Sequence, residues 1–194
     1  MQQKIKDIAN IQMGYQFRKG LNPSLNGNCQ LIQAKDIIRS EDHKLDFTQL
    51  QRITLKKDLG KYKISNGDII FLSKGQYNYA TFIEDLPDTL PTIAASYFFV
   101  LRVKNNSILP EYLAWHINQP PSQVYLQRVV RGSGMPFIPK SEFSNLEIDI
   151  PSFDAQKIII KLYKLSLKEK HLIDVIKYKR NKLLQNMCLK AAKS

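Results

Sequence analysis

The clearest pattern of apolar positions lies in the last forty residues of the chain. Neither proline nor glycine follows Pro151, and Asp154 is a favourable residue for the N-cap of a helix. From Ile158 onward, alternating steps of four and three residues reach apolar side chains at six of eight positions, which is typical of a coiled-coil seam. This pattern predicts a single helix of about 36 residues and about 55 Å.

The seam of this helix consists of six apolar side chains and two charged ones. The apolar residues are Ile158, Leu162, Leu165, Leu172, Ile176 and Leu183, and the charged residues are Glu169 and Lys179. A body of about 150 residues is too small to cover a rod of this length, so we expect a partner helix. The two charged residues would then fix the register of pairing. The alternative is a helix folded back on its own domain.

The first 151 residues predict a body of short strands and helices. Asn66–Gly67 is a turn signal before an apolar strand, and Pro110 fits the first turn of a helix that Pro120–Pro121 ends. The predicted strands are 34–37, 68–73, 80–84, 96–103 and 146–150, and the predicted helices are 109–117 and 122–130. We therefore predict an α+β fold, with a mixed α/β body over residues 1–151 and one long coiled-coil helix over residues 152–194.

The net charge of +12 is concentrated in the helix. From Ala155 to Ser194 there are eleven Lys and Arg residues and two acidic ones, a net charge of +9, while the preceding residues carry only +3. Such an excess favours polyanionic partners, with nucleic acid first and an anionic membrane surface second. The alternative interpretation is a solubilising, lysine-rich helix face.

Several sequence features narrow the class of protein. No apolar run approaches the roughly 18 residues that a membrane helix needs, and the first residues lack the apolar core of a signal peptide. Cys29 and Cys188 are isolated from each other in sequence, which indicates a reducing compartment. We expect a cytoplasmic protein without a membrane role.

Short motifs throughout the chain occur in an order that matches a known family. They are Ile5–Ala9, Gly14–Arg18, Gly67–Phe71, Ser73–Gly75, Ser96–Arg102, Ile108–Trp115, Gln123–Leu126, Gly132–Ile138 and Leu146–Pro151, followed by the long helix. The ordered set resembles the specificity subunit of type I restriction–modification systems. Members of that family usually carry two target-recognition domains and two helical spacers, whereas this chain resembles a half-length form with one of each. Such a form implies either a homodimer that reads two related half-sites or a truncated or recombining gene product.

The resemblance implies a function and partners. The chain would bind double-stranded DNA sequence-specifically and direct a type I restriction–modification complex to its site. The implied partners are a methyltransferase subunit and a restriction/translocase subunit, and S-adenosylmethionine, magnesium and ATP would belong to those partners, with no cofactor or metal in this chain. We expect a homodimer with antiparallel helices along a rod of about 50 Å, which predicts a bipartite, palindromic site.

Two groups of residues are candidates for DNA contact. A polar loop offers a cation, amides and aromatic rings for reading base edges, although it is also compatible with an ordinary strand connection. A second group offers cations and a glycine-rich turn for phosphates, although Arg128 and Arg131 also suit a helix C-terminus. Lys35 and Arg39 are a third, separate candidate for phosphate contact. The base-reading candidates are Lys74, Gln76, Tyr77, Asn78 and Tyr79, and the phosphate candidates are Lys35, Arg39, Arg128, Arg131 and Ser133.

The chain has no recognisable catalytic motif of its own. Asn118–Ser122 lacks the aromatic residue of an amino-methyltransferase motif, and the scattered histidines give no zinc-binding spacing. His116, on an apolar helix, is interpreted as a packed structural residue. Two alternatives to DNA recognition stay open: a small metal-dependent nuclease built around Asp36 and Asp42, and a coiled-coil adaptor that does not bind DNA.

Overall fold

The computed structural model describes residues 1–17, 20–21, 23–37, 43–55 and 59–192. The chain divides into two compact units, Met1–Lys157 and Ile158–Ser194. The first unit, called the body below, contains nearly all elements, and the described part of the second is the continuation of one helix. Among the described residues, no helix has both the length and the apolar content required to cross a membrane.

The body combines short strands with short helices. Its strands are β1 (Gln2–Lys4), β2 (Ala9–Met13), β3 (Cys29–Ile32), β4 (Gln51–Ile53), β5 (Ile69–Leu72), β6 (Ala80–Phe82), β7 (Thr92–Ala94), β8 (Phe98–Val103) and β9 (Glu147–Asp149). The helices are α1 (Ile5–Ile8), α2 (Pro110–Ile117), α3 (Pro120–Val129), α4 (Lys140–Ser144) and α5 (Phe153–Ala191). The predicted α+β fold with one long C-terminal helix is confirmed.

The main sheet is antiparallel, with strand order β2-β8-β5-β6. Its two central strands contain runs of buried apolar residues, namely all four residues of β5 and the first four of β8. Such runs are typical of strands that are covered on both faces. Phe71 of β5 stacks on Phe143 of α4 with ring centroids 4.2 Å apart, so the short helix α4 covers this sheet.

Two smaller sheets complete the body. In the order β4-β3-β7, β3 is antiparallel to β4 and parallel to β7, and its apolar residues join a core with Ile64 and Phe98. The third sheet pairs β1 with β9, with Gln3 opposite Ile148. This last pairing joins the first residues of the chain to the segment that leads into α5.

Gly14 is required by a close approach of two backbone segments. A β-carbon at this position would lie 2.1 Å from the carbonyl oxygen of Ala95, a distance that no side chain tolerates. The neighbouring Tyr15 N–H donates to the Ala94 carbonyl at 2.7 Å. The Gly14–Tyr15 motif therefore joins the main sheet to the mixed one.

The predicted N-cap at Asp154 is wrong by two residues. The helix begins at Phe153, and the Ser152 hydroxyl accepts a hydrogen bond from the Ala155 N–H at 3.3 Å, which is the contact an N-cap side chain makes. Asp154 instead lies in the first turn, where its negative charge complements the helix dipole.

The start of α5 is anchored within the body by Gln156, whose side chain is fully buried. Its Oε1 accepts from the Leu109 N–H at 2.8 Å. Its amide nitrogen donates to the carbonyls of Ser107 at 2.9 Å and Pro151 at 3.1 Å. One side chain within the body therefore satisfies three backbone groups at the start of α5.

Two other local predictions require correction. Ala34–Asp36 is a 3-10 turn rather than a strand, because the Asp36 carboxylate accepts a hydrogen bond from the Gln33 N–H at 2.7 Å and closes the turn. The helix predicted over 122–130 begins two residues earlier, because Pro120–Pro121 forms the first turn of α3. In that turn a proline loses no helical hydrogen bond, since its missing N–H would have had no partner.

Candidate nucleic-acid interface

Two segments that the sequence separates by about sixty positions meet in the structure. The loop between β5 and β6 contains Lys74, which forms an antiparallel bridge with Phe137, and Phe137 forms another with Arg131. The Gly75 N–H donates to the Pro136 carbonyl at 2.8 Å. Arg131 and Phe137 exchange two backbone hydrogen bonds, each of 2.9 Å. Both groups of predicted DNA-contact residues thus contribute to one small ladder.

The ladder aligns three exposed side chains. Directly paired residues of adjacent strands project to the same face, so Lys74, Phe137 and Arg131 form a row of cation, aromatic ring and cation. All three residues are exposed, and Phe137 retains 38% of its surface. We call this row the ladder face.

Arg131 is held in place by an ion pair. Its guanidinium nitrogen Nη2 lies 2.8 Å from Oε1 of Glu142 on α4. The Arg131 side chain is still 62% exposed, and only one of its five N–H donors is used in this contact. The remaining donors are therefore available to a ligand at the ladder face.

Arg128 lies next to this segment in the last turn of α3 and is exposed. Within the described part of the chain, it has no acidic partner. Its position also suits the negative end of the helix dipole. Ser133 lies between Gly132 and Gly134 in an exposed turn, close in sequence to the ladder.

The five base-reading candidates divide into exposed and packed residues. Gln76 and Tyr77 are exposed, and Tyr77 retains 57% of its surface. Asn78 donates its side-chain amide to the Leu72 carbonyl at 2.9 Å. Tyr79 is only 7% exposed, and its ring stacks on His43 with centroids 4.1 Å apart. For Asn78 and Tyr79 we therefore replace base reading with a structural role.

Gly75 permits the turn of this loop through its backbone conformation. Its φ is +114°, in a region that residues with a β-carbon rarely adopt. A β-carbon would meet no atom of the described residues within 4 Å. Gly75 is therefore needed for its φ angle and not for lack of space.

The remaining phosphate candidates are less well placed. Lys35 is exposed in the 3-10 turn Ala34–Asp36, and no contact among the described residues joins it to the ladder face. Arg39 lies outside the described residues.

The structure gives little support to the nuclease alternative. Asp36 is buried and its carboxylate is used by the turn, and burial raises the pKa of this carboxyl group. Asp42 lies outside the described residues. In the described ranges, no three His, Cys, Asp or Glu side chains cluster in a way that could hold a metal ion.

Asn118, from the segment compared with a methyltransferase motif, has a structural role. Its side chain accepts from the Ala80 N–H and donates to the Ala80 carbonyl, both at 2.8 Å. This side chain thus pairs with the backbone N–H and carbonyl of Ala80 at the edge of β6, as a neighbouring strand would. Gln123 supports the same loop by donating to the carbonyls of Asn78 at 3.0 Å and Ile117 at 2.8 Å.

The predicted seam is exposed along α5. Its six apolar side chains, Ile158, Leu162, Leu165, Leu172, Ile176 and Leu183, each retain between 51% and 64% of their surface. Exposed apolar rows of this kind mark interaction surfaces. Cys188 is also exposed on this helix, whereas Cys29 is buried in the body.

Phe137 and Met135 were missed as candidate contact residues. Met135 is 70% exposed beside the ladder, in a segment that the sequence indicated only as a glycine-rich turn. The available signal was the pair of large apolar side chains in the short Gly132–Ile138 motif. Apolar residues in such a segment are more often part of a core, which Ile138 is.

Comparison with known proteins supplies a family match. The family model described as "Type I restriction modification DNA specificity domain" matches residues 1–185. No curated protein sequence gives a significant match.

Three solved structures share the fold. The S subunit of a type I restriction-modification system from M. genitalium is 14% identical with a TM-score of 0.57, and the match covers 90% of this chain and 40% of that one. The HsdS subunit from Thermoanaerobacter tengcongensis is 13% identical with a TM-score of 0.59, covering 87% and 37%. A chain from a study of assembly of the type I R-M system is 14% identical with a TM-score of 0.61, covering 87% and 38%. The present chain therefore spans about two fifths of the length of these structures.

Proposed function

Because the chain belongs to the family of type I restriction modification DNA specificity domains, we propose that it is a DNA-recognising specificity subunit with a single recognition domain. In this role it binds double-stranded DNA in the cytoplasm and directs a type I restriction–modification complex to its site. The chain itself performs no catalysis.

The ladder face is the observation that carries this proposal. Lys74 and Arg131 are exposed cations on either side of Phe137, and Arg128 adds a third exposed cation close by in sequence. Lys and Arg neutralise phosphates, while exposed Gln76 and Tyr77 supply an amide and an aromatic ring for base edges. The packed neighbours Asn78 and Tyr79 hold this loop in a fixed conformation, which positional reading of bases requires.

The second part of the proposal is a homodimer through α5. The chain spans about two fifths of its solved relatives, so two copies supply roughly one full subunit. The exposed seam provides the surface on which two helices pair antiparallel. A two-fold dimer has two identical recognition domains, which predicts a palindromic, bipartite DNA site.

The proposal includes further partners. A methyltransferase subunit binds along the paired helices, and a restriction/translocase subunit joins that complex. S-adenosylmethionine, magnesium and ATP are cofactors of those partners. The net charge of +9 between Ala155 and Ser194 provides a surface for an acidic protein or for DNA phosphates.

DNA binding by the purified chain tests the proposal. Electrophoretic mobility shifts with random duplexes across a salt series should show an affinity that falls steeply with salt. Selection of bound duplexes from a random library should then yield a bipartite palindrome. Absence of salt-dependent binding would favour the adaptor alternative, and cleavage of DNA by the chain with magnesium alone would favour the nuclease.

A further inference from the structure

We propose that two copies pair their α5 helices in one specific antiparallel register, in which Glu169 of each copy lies against the partner's Lys179. This inference rests on the homodimer of the proposed function and adds its register. The basis is the position of the only two charged residues among the eight seam positions between Ile158 and Leu183, which belong to a described, continuous helix.

The opposite charges of Glu169 and Lys179 match each other only in this register. An antiparallel pair that brings Glu169 to the partner's Lys179 also brings Lys179 to the partner's Glu169, so two identical ion pairs form. Between them, Leu172 faces the partner's Ile176, and beyond them Leu165 faces the partner's Leu183. Apolar layers therefore lie on both sides of each ion pair.

Alternative alignments leave these charges without a match. A shift of one heptad places Glu169 against the partner's Leu172 and Lys179 against the partner's Leu162. The opposite shift places Glu169 against the partner's Asn186 and Lys179 against the partner's Ile176. A buried charge facing an apolar side chain keeps its desolvation cost without an attractive partner.

A parallel pair is less favourable still. Each helix would place Glu169 against the partner's Glu169 and Lys179 against the partner's Lys179. Like charges would then repel at two layers of the seam, and such repulsion is a common means of excluding unwanted pairings.

The same register covers apolar residues that flank the seam. Ile173 and Met187 are 43% and 58% exposed in the single chain, although neither belongs to the seam itself. In the proposed register Ile173 faces the partner's Ile173, and Met187 faces the partner's Ile159. The pairing therefore accounts for exposed apolar surface beyond the seam as well as for the charges.

The register also fixes how far apart the two bodies are attached. Between the two copies of Ile158 the axial distance is about 48 Å in the proposed register and about 38 Å when Glu169 faces the partner's Leu172. The difference of about 10 Å corresponds to about three base pairs of DNA. The Glu169–Lys179 pairs would thus set the spacer length of a bipartite site.

Charge reversal in the full chain tests the pairing. Glu169→Lys or Lys179→Glu alone should raise the dimer dissociation constant about tenfold or more, because each creates like-charge contacts in the seam. The double variant should return within about threefold of the parent. Matched controls are Asp174→Lys and Lys177→Glu, which make the same charge changes at positions outside the seam and should leave the constant within about threefold.

Spin labels on native Cys188 measure the register directly. Cys188 is exposed and Cys29 is buried, with burial raising the pKa of the Cys29 thiol to about 11, so labelling is selective. The distance between labels should be about 45 Å in the proposed register, about 55 Å in the register shifted toward Leu172, and about 25 Å in a parallel pair.

A distance near 45 Å together with rescue by the double variant would support the register. A dimer with either other distance, or without rescue, would overturn the register and leave the proposed homodimer intact. A monomer at micromolar concentration would overturn both. Recognition of DNA is measured separately by mobility shifts, so its failure is distinguishable from failure of the pairing.

Discussion

The guanidinium of Arg102 binds the buried carboxylate of Asp68 through two hydrogen bonds, Nε to Oδ1 at 2.9 Å and Nη2 to Oδ2 at 3.0 Å. The same carboxylate accepts the Ser65 N–H at 3.1 Å, and Nη2 also donates to the Lys63 carbonyl at 2.6 Å. This arrangement connects β8 to the turn before β5. The Gly67–Phe71 motif is therefore maintained by a fold-stabilising ion pair.

Asp68→Asn should destabilise the body by about 1–3 kcal/mol, because it removes a charge-assisted acceptor beside a partly desolvated guanidinium. The Arg102 side chain is 38% exposed, so the loss should fall short of that for a fully buried pair. Urea unfolding measures the change. Arg52→Met, at an exposed position of β4, serves as control, and an equal loss there would contradict a specific role for the ion pair.

His116 predicts a dependence of stability on pH. Its Nδ1 lies 3.1 Å from the Ser122 hydroxyl, and its Nε2 accepts the Asp149 N–H at 3.3 Å, which requires a neutral ring. Burial lowers the pKa of His116 below its usual 6.5, although Asp149 opposes this shift. The unfolded chain therefore binds the proton more readily, and stability should fall as the pH drops below about 6.5.

The pH effect is assigned to His116 by substitution. His116→Gln should flatten the dependence of the unfolding free energy on pH between about 5 and 7. His171→Gln, at an exposed position of α5, should leave that dependence as it is. Equal slopes for the parent and the His116 variant would show that another group is responsible.

A nearly isosteric substitution of Asn118 tests its two hydrogen bonds to the backbone of Ala80 on β6, the strand that follows the candidate loop. Asn118→Asp retains the acceptor for the Ala80 N–H but replaces the donor to the Ala80 carbonyl with a second acceptor. The expected cost is about 1–3 kcal/mol. Asn105→Asp is the control, because it retains the oxygen that accepts from Ser107. Its free energy of unfolding, measured by thermal denaturation, should change by about 0.5 kcal/mol or less.

Local sequence patterns predicted elements whose signal is continuous. The regular spacing of apolar residues predicted α5, and short apolar runs predicted β5 and β8. Both patterns lie within consecutive residues, so they can be recognised without knowing what packs against them. The pairing of β1 with β9 was not predicted, since each strand has three residues and the partners lie at opposite ends of the body. The ladder of Lys74, Phe137 and Arg131 was also missed, because it joins short segments that lie far apart in sequence.

Candidate contact residues were harder to predict than strands. Tyr79 was expected to offer its ring for reading bases, but this ring stacks on His43, which lies more than thirty residues earlier in the chain. Asn78 was expected to read bases, although its amide donates to the Leu72 carbonyl. A polar or aromatic residue in a loop has the same sequence signature whether it contacts a ligand or supports the loop.

Substitutions of phosphate candidates and of base-reading candidates should have different effects on DNA binding. Arg128→Ala should weaken binding to all duplexes alike and reduce the salt slope by about one, as loss of one phosphate contact does. Gln76→Ala and Tyr77→Ala should relax the selected sequence with little change in the salt slope.

Tyr79→Ala should behave differently from both classes, because it removes a buried aromatic side chain. It should lower the unfolding free energy by about 3–5 kcal/mol, with DNA affinity falling only as the folded fraction falls. Three measurements on the same four variants separate loss of phosphate contact, loss of base reading and loss of stability. They are mobility shifts across a salt series, sequence selection and urea unfolding. If Tyr79→Ala changed the selected sequence while stability was maintained, the assignment of this ring to packing would be wrong, and the base-reading surface would have to extend into the loop interior.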